Sequence, residues 1–303
     1  MSESPNGAPR PAQGAGQAHG AEELLAVEAL VQHFSRRGSL WQRLRKGEAG
    51  VVRAVDGVDL AVRRGETVGL VGESGCGKST LSRCAAGLYT PTAGTVRYAG
   101  EELRGAPRRR QRRLVQMVFQ DPYSSLNPRM SVGQTLGEVL RYHQVVPRAR
   151  VQTRVRELVD LVGLPARAVD QLPRSFSGGQ RQRIGIARAL ALEPKVLIAD
   201  EPVSALDVSV QANIINLLLD LKETLGLSML FVSHNMAVVR QISDRIAVMH
   251  DGVVVESGAT AQVFSQPAHA YTKLLLASVP RLTTQRIPAV EAELAMRAEA
   301  ELG

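Results

Sequence analysis

The sequence predicts an α/β fold built on a parallel sheet, with polar loops suited to phosphate at the strand ends. Three observations carry this. The apolar run 67–71 (TVGLV) enters a glycine-rich loop and then a stretch, 78–88, with helical spacing. A second run, 195–201 (KVLIADE), ends in two adjacent carboxylates, and a third, 228–232 (SMLFV), ends at Ser233 and His234. Continuous apolar runs of this length read as strands covered on both faces, as in a parallel sheet.

Taken in order, residues 1–20 are dominated by Pro, Gly, Ala and Gln and are expected to form a disordered tail. They lack the apolar core of a secretory signal. Residues 22–34 and 51–62 alternate as strands of an antiparallel subdomain, VVRAVDGVDLAV being the clearer of the two. Between them lies a basic insertion, 35–50, that contains Trp41.

The loop from Gly72 to Thr80 (GESGCGKST) is a complete G-x-x-x-x-G-K-S pattern in the strand–loop–helix context the pattern requires. Gly72, Gly75 and Gly77 let backbone N–H groups turn inward around a phosphate chain, with Ser74 and Cys76 between them. The helix start adds unpaired donors and partial positive charge at Lys78, Ser79 and Thr80. The Lys78 ammonium suits the β- and γ-phosphates, and the Ser79 hydroxyl suits Mg²⁺. This is the loop of a P-loop NTPase, so the chain is expected to bind a nucleoside triphosphate.

The basic stretch 104–113 (RGAPRRRQRR) has three readings: a solvated face, contact with anionic lipid headgroups, or nucleic-acid binding. A short strand at 118–120 ends in Gln120. Residues 132–175 show apolar positions at three- and four-residue spacings and are expected to be helical. Ser177, Gly178, Gly179 and Gln180 stand before a helix at 181–192 and concentrate backbone donors suited to an anion. Asp200 is placed to hold a metal and Glu201 to polarise an attacking water. A helix at 237–242, strands at 245–249 and 253–256 and a helix near 271–277 follow. Residues 281–303 are charged and helix-prone, without a motif.

Four segments, AVDGVDLAVRRGETVGLVGESGCGKST, QMVFQDPYSSLNPRMSV, FSGGQRQRIGIARALALEPKVLIADEPVSALDVS and PAHAYTKLLLASVP, resemble ABC-transporter ATPase subunits, and the resemblance spans roughly residues 22–280. The wording is that of the oligopeptide/dipeptide importers, and DEPVSALDVS is more like the second of their two ATPase subunits. The resemblance implies a parallel P-loop sheet with an antiparallel β subdomain and an inserted α-helical subdomain at about 130–180. It implies an ATPase domain over 21–265 and a C-terminal extension over 266–303.

It also implies a head-to-tail dimer holding two ATPs, in which residues 177–180 complete the site of the other chain. Lys78 would sit on the phosphates. Ser79, Gln120 and Asp200 would hold Mg²⁺, and Glu201 would activate water. His234 would contact the γ-phosphate, and Phe34 would stack on adenine. Core packing is the alternative for Phe34, a strand-end polar residue for Gln120 and a helix cap for His234. Implied partners are two membrane permeases, a second ATPase chain (a sister chain by family pattern, with a second copy of this chain the alternative) and, indirectly, an extracytoplasmic solute-binding protein, at the cytoplasmic face of the plasma membrane. Nucleic acid is not expected as a partner.

Three positions depart from the family pattern: Phe176 stands for Leu, Asn235 for Asp and Ala270 for Pro. None is catalytic. Import of nickel, glutathione or an opine-like solute uses the same ATPase wording, so the sequence leaves the solute open. A soluble ABC ATPase acting on DNA or ribosomes is the rival from another class. Its long coiled-coil or zinc-cysteine insertions are not present here, and one phosphate loop without internal repeat speaks against tandem-domain translation factors.

Composition sets the remaining bounds. The 303 residues suffice for one large domain. No apolar run approaches the roughly 18–20 residues a bilayer requires. Cys76 and Cys84, the only two cysteines, stand too far apart along one loop and helix for a disulfide. They read as buried filler, with redox sensitivity at Cys76 the alternative, and no iron–sulfur cluster is expected.

Overall fold

The computed structural model describes residues 22–35, 51–105, 107–121 and 126–278. The expected tail at 1–20, the insertion with Trp41 and the segment 281–303 lie outside the described residues. Strands β1 (Glu23–Ser35) and β2 (Val51–Arg63) pair antiparallel, with Leu30 opposite Val58 and Phe34 opposite Val52. Strand β3 (Thr67–Val71) belongs to a second sheet. With β4 (Ala93–Tyr98) and the short β5 (Glu101–Glu102), the first sheet has the order β2-β1-β4-β5. This is the antiparallel subdomain the alternation at 22–34 and 51–62 predicts.

The second sheet is the larger. Strands β6 (Val115–Val118), β7 (Val196–Asp200), β8 (Ser228–Ser233) and β9 (Arg245–His250) run parallel to β3 in the order β9-β3-β8-β7-β6. Strand β10 (Val253–Ala259) closes one edge antiparallel to β9. Every residue of β3, β7 and β8 is buried, and alternation along each strand divides them between two cores. Leu70, Ile198 and Leu230 face the antiparallel sheet, together with Leu81 and Cys84. Val71, Leu197 and Phe231 face the other way, toward a helical layer containing Ile186, Ile214 and Leu218. Burying side chains of this size contributes about 1.5–3 kcal/mol each, so the strands are fixed firmly enough to aim the loops at their ends.

Helix α1 (Lys78–Ala85) follows β3 directly. It stops at Ala85, short of residue 88, because Gly87 takes a positive φ of 69° and its N–H donates to the Cys84 carbonyl at 2.9 Å. Helix α2 (Arg109–Leu114) falls inside the basic stretch, where a solvated face was one of the readings. Helices α3 (Val132–His143) and α4 (Val151–Leu161) occupy the region read as helical. Pro147, Pro165 and Pro173 break that region into two helices and short 3₁₀ turns.

Helix α5 (Gly178–Leu190) begins at the Ser-Gly-Gly loop, and α6 (Val208–Leu225) is a long helix for which the motifs gave no expectation. Helices α7 (Met236–Ile242), α8 (Thr260–Ser265) and α9 (Ala270–Ala277) complete the described chain. Among the described residues no helix is long and apolar enough to cross a membrane.

Candidate functional site

The chemistry gathers at the carboxyl ends of four neighbouring parallel strands, β3, β8, β7 and β6, where α/β sheets place their ligands. Strand β3 delivers the glycine loop. Gly77, at the start of α1, has φ 108°, and a side chain there would bring its Cβ within 2.0 Å of the Ala54 carbonyl oxygen. Only glycine allows that approach of loop to β2. The loop lines a cavity of about 370 Å³ together with Arg53, Asp251 and Gly252. Ser74, Gly75, Cys76, Gly77, Lys78, Ser79 and Thr80 all face it, as do Gln120 and Glu201. Gly72 lies behind the wall, against the Met249 carbonyl.

Lys78 is buried, and its Nζ donates to the carbonyls of Gly72 at 2.8 Å and Glu73 at 2.7 Å. The Ser79 hydroxyl donates to Asp200 Oδ1 at 3.1 Å, joining α1 to the end of β7. Burial pushes the Asp200 carboxyl above its ordinary range, against the Ser79 hydrogen bond and the nearby Arg83 and Lys78 charges. Two hard oxygen donors, one of them a carboxylate that burial penalises when charged, fit a site for Mg²⁺.

Glu201 immediately follows β7 and holds a left-handed backbone with φ 48°, a strained conformation for a residue with a side chain. Its N–H donates to the Val232 carbonyl at 3.0 Å, and its own carbonyl accepts from the Ser204 hydroxyl at 3.1 Å. The turn aims the carboxylate at two neighbours. Gln120 Nε2, beyond β6, and His234 Nδ1, beyond β8, each lie 3.3 Å from Glu201 Oε2. Asn235 caps α7 by accepting from the amides of Ala237 and Val238, so the helix cap belongs to Asn235 and leaves the His234 ring for Glu201.

Ser177 caps α5 in a reciprocal box with Gln180: Gln180 N–H donates to Ser177 Oγ at 3.4 Å and Ser177 N–H to Gln180 Oε1 at 3.0 Å. Gly178 and Gly179 pack against Leu206 and Val210. None of residues 177–180 lines the cavity, so the loop is built but not brought to the chain's own phosphate loop. Phe34 is also outside the lining. It is exposed on β1, edge-on to Tyr89 with ring centroids 6.0 Å apart, beside Val52, which does line the cavity.

Both cysteines are free and buried, and burial pushes their thiols up, Cys84 to about 11. That disfavours the thiolate a redox sensor requires. Around the basic stretch, Arg104 pairs with Glu102 and Arg113 with Glu193 on the surface. Sequence reasoning missed Arg53, Asp251 and Gly252 as cavity residues. The Asp-Gly pair between β9 and β10 is a hairpin turn signal that pointed to their position, though not to their role.

The chain resembles known proteins over most of its length. A family model described as ABC transporter matches residues 55–204, and one described as oligopeptide/dipeptide transporter, C-terminal region, matches residues 255–302. The chain is 45% identical over 267 residues to the oligopeptide transport ATP-binding protein OppF of Lactococcus lactis subsp. lactis, covering 87% of this chain and 82% of that one. It is 47% identical over 268 residues to OppF of Escherichia coli K12, covering 86% and 79%. A dimeric post-hydrolysis structure of the ATP-binding cassette MJ0796, bound to ADP and Pi, superposes with a TM-score of 0.67 at 27% identity, covering 78% of this chain and 98% of that one.

Proposed function

The chain belongs to the ABC transporter family, and from that membership we propose that it is the ATP-hydrolysing subunit of an importer of di- and oligopeptides. The substrate class is supported by the match of residues 255–302 to the C-terminal region of oligopeptide/dipeptide transporters and by relatives named for oligopeptide transport. The observation that carries hydrolysis is the meeting of Gln120, Glu201 and His234 on one carboxylate oxygen beside the phosphate loop.

In this reading the cavity takes the triphosphate of ATP. Backbone N–H groups of the glycine loop and the Lys78 ammonium offset its charge. Ser79, Asp200 and Gln120 would hold Mg²⁺, which when bound supplies further positive charge against the β- and γ-phosphate oxygens. Glu201 accepts a hydrogen bond from the attacking water and orients it in line with the γ-phosphate. His234 and Gln120 keep that carboxylate in place, and His234 extends toward the γ-phosphate.

Residues 177–180, away from the chain's own cavity, present backbone donors to the γ-phosphate held by a second ATPase chain. ATP then acts as the bridge between the two chains, and its hydrolysis removes the bridging group. Closure and opening become a population shift that two membrane permeases convert into transport. The pairing chain is a sister ATPase, the placement is the cytoplasmic face of the membrane, and an extracytoplasmic binding protein supplies the peptide.

Gentle co-purification of the tagged chain from detergent-solubilised membranes tests this reading, with mass spectrometry identifying what comes along. Two multi-spanning permeases and a second ATPase are expected. Recovery of ribosomal or DNA-bound proteins alone would overturn it.

A further inference from the structure

Tyr271 belongs to no motif of ATP chemistry, yet it touches the phosphate loop. It lies in α9, near residue 270, far along the chain from Glu73, whose backbone N–H donates to the Tyr271 phenol oxygen at 3.0 Å. That N–H and the Gly72 carbonyl belong to one peptide plane. The carbonyl end accepts from Lys78 Nζ at 2.8 Å. One rigid amide is therefore held at both ends, by the phenol on one side and the ammonium on the other.

The phenol is itself well anchored. Its ring stacks on His250 at 3.9 Å between centroids and 22° between planes, and His250 is the last residue of β9, the strand beside β3. His269 caps α9 by accepting from the Tyr271 amide at 3.2 Å. The Glu256 carboxylate accepts from the amides of Ala268 and His269, fixing the turn that leads into the helix. Tyr271 is buried, while its oxygen reaches an amide that the loop's own carbonyls do not satisfy.

We propose that Tyr271 is a positioning residue for ATP binding and turnover, setting through the peptide between Gly72 and Glu73 the place from which Lys78 meets the phosphates. The proposal rests on the reading of the cavity as an ATP site. The C-terminal segment, on this view, is a strut of the nucleotide site as well as an appendage to the ATPase domain. With the phenol oxygen removed, the Glu73 amide has no partner and the plane is free to rotate, so the Lys78 ammonium is held by one carbonyl in place of a fixed pair.

The test is a double-mutant cycle on the full-length chain, read as the Kd for MgATP by fluorescent-nucleotide displacement. Tyr271→Phe keeps the ring and its stack on His250. It is expected to weaken MgATP about three- to tenfold, the loss of one hydrogen bond, with an unchanged melting midpoint. In a Lys78→Met background the same substitution is expected to change the Kd by less than about twofold, because the group being positioned is gone. An equal loss in both backgrounds would reduce Tyr271 to a general structural role, and no loss in either would overturn the proposal. Failure of the wild-type chain to bind MgATP at all would instead strike the ATP reading of the cavity. If Tyr271→Phe lowers the melting midpoint, His250→Leu decides: it perturbs the stack without touching the phenol oxygen, and a loss matching that of Tyr271→Phe would overturn the proposal.

Discussion

His234 Nδ1 lies 3.3 Å from Glu201 Oε2, and Gln120 Nε2 reaches the same oxygen at 3.3 Å. Two residues, from beyond the strands on either side of β7, thus converge on the carboxylate at its end, which is 14% exposed where the histidine is 55% exposed. The backbone beneath it is held left-handed at φ 48°. Strain of this kind persists only where the surroundings over-determine it, and here the hydrogen bonds from Glu201 N–H to the Val232 carbonyl and from the Ser204 hydroxyl to the Glu201 carbonyl do so. Both contacts fall on the same oxygen, Oε2, of the Glu201 carboxylate.

Glu201→Gln tests that assignment most directly. The amide keeps the shape and loses the basicity, so ATP turnover is expected to fall about 10²- to 10⁴-fold. MgATP binding should be retained, because Lys78, Ser79 and the loop amides are untouched. Turnover assays paired with equilibrium binding separate the two. Hydrolysis at the wild-type rate would remove Glu201 from the mechanism.

Gly179 gives a prediction of the opposite kind. A Cβ there would lie 2.4 Å from Val210 Cγ1, so Gly179→Ala pushes the start of α5 away from α6 at a cost of about 1–3 kcal/mol. A few degrees are expected off the melting midpoint. The loop does not line the chain's own cavity, so nucleotide affinity of the isolated chain should stay within about twofold. Turnover by the assembled transporter should drop sharply if, as proposed, the displaced amides serve the facing chain. Loss of nucleotide binding in the isolated chain would contradict this placement.

Phe34 remains a nucleotide contact by proposal. Its ring is 38% exposed and touches Tyr89 only edge-on, so little of it is committed to packing. Phe34→Ala is expected to weaken ATP by about 1–3 kcal/mol, the worth of base stacking on an aromatic ring, with a small effect on melting. A large melting loss with unchanged affinity would return Phe34 to the core.

The parallel strands and their terminal residues were legible in the sequence because each strand is an unbroken apolar run that stops at a polar residue. Lys78, Asp200, Glu201 and His234 could each be placed from the run before it. Gln120 was harder, since β6 ends at Val118 and a loop carries the side chain the rest of the way. Helix α6 was missed because it follows the segment DEPVSALDVS, which was read for its wording and not for the leucine spacing beyond it. Tyr271 was out of reach for a deeper reason: its hydrogen bond to Glu73 joins residues 198 positions apart, and a backbone amide leaves no signature in the side-chain pattern.

Glu256 ties that long-range contact to pH. Burial pushes its carboxyl up, but the amides of Ala268 and His269 stabilise the anion and hold the pKa below the ordinary 4.5. A depressed pKa in the folded state means that the stabilisation is complete above 4.5 and is lost as pH falls through the folded value. Glu256→Gln should therefore lower the melting midpoint at pH 7, where the charged form holds the turn before α9. The gap between variant and wild type should narrow as the pH falls below 4.5 and close once the pH has passed the lowered folded value, where the wild-type carboxyl is neutral as well. Calorimetry of both chains across that range provides the check. A gap independent of pH would mean that shape, and not charge, fixes the turn that carries Tyr271 to the phosphate loop.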